Sequence, residues 1–92
     1  MARLKLGVLI SGRGSNLKAL LDACAAPDFP AEIVSVISNR AEAPGLTHAT
    51  AAGVPTRTID HRAYADRTEF DGALDQALRA AGVDLVCLAG FM

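Results

Sequence analysis

Four short apolar runs, each separated from the next by a helix-patterned stretch, constrain this 92-residue chain more than any other feature. Residues 5–10, 32–38, 56–59 and 84–89 read as strands. The first, second and fourth are rich in Val, Leu and Ile, as burial on both faces requires. Strands that alternate with helices build a parallel sheet from βαβ units, not a sandwich or a bundle.

Three helices fit the intervening segments. The first places Leu17, Leu20, Leu21 and Cys24 on one face and stops before Pro27 and Pro30. The second starts near Pro44 and ends at Gly53, and its Ala49, Ala51 and Ala52 permit close approach to the sheet. In the third, Asp66 and Glu69 have capping-box spacing, Phe70, Ala73, Leu74, Ala77, Leu78 and Ala81 form an apolar stripe, and Gly82 supplies the stop. Right-handed crossovers combined with the common doubly wound order 3-2-1-4 give an α/β fold, a doubly wound parallel sheet of Rossmann-like type. The first two helices lie on one face and the third on the other.

That topology gives weight to Ser11-Gly12-Arg13-Gly14-Ser15-Asn16, the turn between the first strand and the first helix. Its glycines allow positive φ and close approach of the backbone to a ligand, and Ser15 or Asn16 can cap the helix. The unpaired N–H groups at the helix start suit an anion. The six residues alone do not separate a phosphate cradle from a tight turn that binds nothing, because Gly, Ser and Asn favour turns in either case. Their position does: in open parallel sheets ligands gather at the carboxyl ends of strands, where the strand order reverses. The order 3-2-1-4 sets Gly90, Phe91 and Met92, after the fourth strand, beside the same crevice.

Other nucleotide sites fit less well. Gly12-x-Gly14 reproduces two glycines of the dinucleotide fingerprint, but Leu17 stands at the third, and Ser38-Asn39-Arg40 replaces the acidic residue that would hold a ribose hydroxyl. An NADP-type module, with Arg40 on a 2′-phosphate, is the remaining alternative. A Walker loop is excluded, since no lysine follows the glycines in register. His48 falls in a helix and His61 in a loop, neither with a nucleophile at motif spacing. Asp60 next to His61 points the other way on an extended segment.

Charge and composition exclude further classes. Nine basic against ten acidic residues, with three Phe, one Tyr and no Trp, provide neither the positive footprint nor the stacking platform of a nucleic-acid binder. No apolar run approaches the roughly 20 residues of a membrane span, and no signal-peptide pattern opens the chain, so the expected location is cytoplasmic. Cys24 and Cys87 lie far apart within apolar patterns, which predicts buried, reduced thiols rather than a metal knuckle.

Residues 8–17 (Val-Leu-Ile-Ser-Gly-Arg-Gly-Ser-Asn-Leu), Ile37-Ser38-Asn39-Arg40 and Leu88-Ala89-Gly90-Phe91-Met92 together resemble the phosphoribosylglycinamide formyltransferase family. The likeness spans the whole chain but only the N-terminal half of that family's length. It implies an incomplete formyltransferase fold, residues 1–92 being the phosphate-binding part of the domain. It implies transfer of a formyl group from 10-formyltetrahydrofolate to the amine of glycinamide ribonucleotide, without a metal. The positions matching the family's phosphate loop are Gly14, Ser15 and Asn16, flanked by Gly12 and Arg13. Arg67 matches a folate-side contact, and Met92 the start of a segment between the two substrates. The family's catalytic Asn, His and Asp match nothing in this chain, so residues 1–92 alone are expected to be inactive. The uncovered outer edge of the fourth strand calls for a C-terminal half or a second copy of the chain.

Overall fold

A computed structural model describes residues 3–12, 15–26 and 28–89, apart from the side chains of Ser15 and His61. Its elements run β1 (Leu4–Ile10), α1 (Ser15–Cys24), β2 (Ala31–Ser38), α2 (Gly45–Ala51), β3 (Thr56–Thr58), a short 3-10 turn (His61–Ala63), α3 (Arg67–Ala80) and β4 (Leu85–Leu88). The sheet is parallel throughout, in the order β3-β2-β1-β4. Most expected bounds hold to within a residue. The larger difference is at α1, which opens at Ser15 and not at Leu17, so that Ser15 and Asn16 lie inside its first turn and not in front of it.

Two cores form because β1 and β2 bury both faces. On one, Leu6, Val8, Ile10, Ile33 and Val36 pack against Leu17 and Cys24 of α1 and Ala49 of α2. On the other, Leu9, Ile37 and Ile59 meet Phe70, Leu74 and Ala77 of α3. Val8, Ile10, Leu17, Val36 and Ile37 are wholly enclosed, and each such side chain contributes on the order of 1.5–3 kcal/mol of transfer free energy. The first two helices and the third thus occupy opposite faces, as the crossover rule requires.

The helix ends follow their sequence signals. Asp66 accepts a hydrogen bond from the Glu69 N–H at 2.9 Å, and the Glu69 carboxylate accepts from the Ala65 N–H at 3.1 Å, one residue earlier than in a strict capping box. Gly53 and Gly82 take φ of 76° and 74°, and behind them Val54 and Val83 donate back to Ala49 and Leu78, closing α2 and α3. Pro44 precedes α2 with helical φ, where its missing N–H costs nothing.

Gly7 has a role that local pattern does not reveal. A β-carbon there would come within 2.7 Å of Leu78 Cδ2 and 2.8 Å of Val83 Cγ2. Glycine therefore lets α3 and the segment after it settle onto the central strand, beside a register shift in the β1–β2 pairing. Asp84 then fixes the start of β4: its N–H donates to Lys5 O at 2.7 Å while its carboxylate accepts from Lys5 N–H at 3.0 Å. Among the described residues no helix is long and apolar enough to cross a membrane.

Candidate functional site at the carboxyl ends of β1, β2 and β4

Three strand ends converge on the turn after β1. Asn39 N–H donates to Ile10 O at 3.3 Å, Ala89 N–H donates to Leu9 O at 2.9 Å, and Gly45 N–H, opening α2, donates to Gly12 O at 3.1 Å. These bonds fix Ser11 and Gly12 between the end of β2 and the end of β4. α1 opens at Ser15, and its first N–H groups have no partner within the helix. Arg13 and Gly14, and Gly90, Phe91 and Met92 across the crevice, lie outside the described residues, as does the Ser15 side chain.

Gly12 differs from expectation in how it uses its freedom. Its φ is not positive; among the described glycines that region is confined to Gly53 and Gly82. Instead, among the described residues and apart from its chain neighbours, no atom lies within 4 Å of the place a β-carbon would occupy. The absent side chain leaves open space over a backbone that its neighbours hold still, which admits a ligand closely.

Beneath the turn lies polar packing that is unusual for a strand terminus. Ser11, Ser38 and Asn39 are all buried, Ser38 completely. Ser38 Oγ donates to Arg40 O at 2.7 Å and accepts from Arg40 N–H at 3.0 Å, which shapes the chain as it leaves β2. Asn39 Oδ1 is buried without a hydrogen-bond partner among the described residues, although burying an unpaired amide oxygen costs on the order of 1–3 kcal/mol. Sequence reasoning assigned Asn39 no role. Turn chemistry marks Asn as ordinary after a strand, and only its burial singles it out.

The other candidates are more dispersed. Asn16 is exposed on the first turn of α1. Arg67 opens α3 in solvent, pairs with Asp71 at 2.9 Å and lies 5.9 Å over the Phe70 ring. Arg40 is exposed and 3.8 Å from Glu42, a poor start for holding a 2′-phosphate. Asp60 accepts from the Arg62 guanidinium through both oxygens, an interaction that raises the Arg62 pKa further. Cys24 is buried and Cys87 half-buried on the α1 face. Desolvation pushes the Cys24 thiol pKa up against the opposing field of Arg3, with Cys87 raising it further. No cluster of metal-ligating side chains occurs among the described residues.

Comparison with known proteins decides the family, for the formyl transferase family matches residues 4–92. The chain belongs to it. Among curated relatives, a trifunctional purine biosynthetic protein, adenosine-3, of Gallus gallus is 53% identical over 90 residues, covering 98% of this chain and 9% of that protein. A phosphoribosylglycinamide formyltransferase of Haemophilus influenzae is 43% identical over 88 residues, covering 96% of this chain and 42% of its own length. The crystal structure of glycinamide ribonucleotide transformylase 1 from Symbiobacterium toebii superposes with a TM-score of 0.94 at 52% identity, covering 98% of this chain and 42% of that one. This member of the formyl transferase family thus spans less than half of each of these proteins, and over that span its backbone follows the solved fold closely.

Proposed function

We propose that this chain supplies the substrate-phosphate loop of an enzyme that transfers a formyl group from 10-formyltetrahydrofolate to the amine of glycinamide ribonucleotide. The observation that carries this reading is the open, clamped backbone at Gly12, set where α1 begins and where the ends of β1, β2 and β4 meet. Proteins named for formyl transfer to that ribonucleotide share the segment at 43% and 52% identity.

A phosphate dianion suits such a site for electrostatic reasons. The first N–H groups of α1 point out of the helix, and its dipole adds positive potential, so the anion is bound without a metal. Residues 12–16, Gly12, Arg13, Gly14, Ser15 and Asn16, form the loop in this reading. The turn's backbone is tethered by Gly45 and Asn39 before a ligand arrives, which lowers the ordering cost of binding. Asn39, with its unpaired buried amide oxygen, supports the loop from below.

Formyl transfer requires an amine to attack the formyl carbon while an acid and hydrogen-bond donors stabilise the tetrahedral oxyanion. The residues carried over to this chain bind and orient; the acid and the donors come from a further segment. Arg67 and Met92 lie on the folate side in this reading. The exposed Leu85, Val86 and Leu88 of β4 are the surface on which that further segment packs.

A chimera tests the proposal: residues 1–92 replace the matching segment of the Haemophilus influenzae enzyme, and formyl transfer is followed with and without Gly12→Val. The chimera should turn over, and Gly12→Val should raise KM for glycinamide ribonucleotide by about tenfold or more, with little change for the folate. The reading fails if the chimera folds yet binds no ribonucleotide, or if valine at position 12 leaves that KM unchanged.

A further inference from the structure

On the α3 face, at the opposite edge of the sheet, a cavity of about 460 Å³ opens between β3 and α3, lined by Arg57, Ile59, Tyr64, Gln76 and the alanines at 73, 77 and 80. We propose that it binds a small planar aromatic carboxylate, independently of the phosphate crevice. Its volume falls in the range of small-molecule sites. In the order β3-β2-β1-β4, two strand spacings of roughly 4.8 Å separate β3 from β1.

The charge argument rests on Arg57. Each of the other described arginines is engaged: Arg3 donates to backbone carbonyls, and Arg40, Arg62, Arg67 and Arg79 face carboxylates. Among the described residues, Arg57 has no ion pair or side-chain hydrogen bond, and no described Asp or Glu lines the cavity to compete for it. A guanidinium matches the two oxygens of a carboxylate with parallel hydrogen bonds. One arginine neutralises one negative charge, which favours a monocarboxylate over a phosphate dianion.

The body of the ligand is set by the remaining lining. Ala73, Ala77 and Ala80 recur at one-turn spacing along α3 and, lacking long side chains, let a flat ring lie close to the helix. Ile59 supplies an apolar floor. Tyr64 is half-buried and held edge-on to Phe70 at 6.0 Å and 61°, which fixes its ring beside the opening. Its hydroxyl and the Gln76 amide provide polar contacts at the mouth.

Benzoate, titrated into the 92-residue chain and followed by ¹H–¹⁵N NMR, is the test. Saturable shifts are expected at Arg57, Tyr64, Gln76 and Ala77, with Kd on the order of 1 mM for so small a ligand. Benzamide, the uncharged analogue, and the exposed-site variant Arg57→Gln should each weaken binding by about tenfold, and Ala80→Trp should block the opening. Shifts that do not saturate, that centre on Ser15 and Asn16 instead, or that survive Arg57→Gln unchanged would overturn the proposal.

Discussion

Leu9 and Leu88 are the same residue on neighbouring strands, paired directly in the β1–β4 register, yet one is 5% exposed and the other 69%. β1 and β4 are written in the same apolar language, but β1 has a strand on each side and a helix layer on each face, whereas Leu85, Val86 and Leu88 face solvent. An apolar run specifies a demand for burial; its neighbours decide whether the demand is met. The contrast also separates the inner strands β1 and β2, which carry the buried core, from β4, whose apolar side chains stay exposed.

Truncation across the pair is the sharpest way to break this comparison. Leu9→Ala should cost about 2–4 kcal/mol in urea denaturation, and Leu88→Ala less than about 0.5 kcal/mol. Equal losses would show that β4 is covered in solution. Gly7→Val comes next, since a branched side chain must displace Leu78 and Val83: overpacking of this kind costs about 1–3 kcal/mol, and a lowered urea midpoint at unchanged m-value would confirm it. Asp66→Ala removes the acceptor for the Glu69 N–H, for an expected loss of about 1 kcal/mol in thermal or urea unfolding.

The smallest effect is a pH dependence. Because burial raises the Cys24 pKa in the folded chain, the unfolded thiol ionises first as pH rises. The contribution is therefore fully present below the ordinary thiol value of about 8.5 and is lost as pH climbs through it toward the raised one. Iodoacetamide at pH 8.5 should label Cys24 more slowly in the folded chain than in urea; equal rates would contradict the burial described here.

The elements were legible wherever a local signal carried them. Asp66 with Glu69, the stripe from Phe70 to Leu78, and Gly82 predict α3 from neighbours within a few turns, and the βαβ alternation with right-handed crossovers, joined to the commonest doubly wound arrangement, gives the observed strand order. Gly7 was not legible, because the atoms that forbid a side chain there come from Leu78 and Val83, some seventy positions later. At the site, two reasons for glycine at position 12 could be read from the turn, positive φ and close approach of the backbone; the first does not apply there, and the second fits the space beside it. Asn39, read only as part of the segment after the second strand, was given no role because an amide there looks routine until its oxygen proves to be enclosed.

The clamp between Lys5 and Asp84 ties the opening of the first strand to the opening of the last. During synthesis, which proceeds at about 5–20 residues per second, β1 emerges first and must wait several seconds for its second flank, with one row of backbone amides and carbonyls unmatched meanwhile. An inner strand of the sheet is thus the one longest at risk of pairing wrongly on the ribosome, and its rescue arrives only as the Asp84 turn clears the exit tunnel.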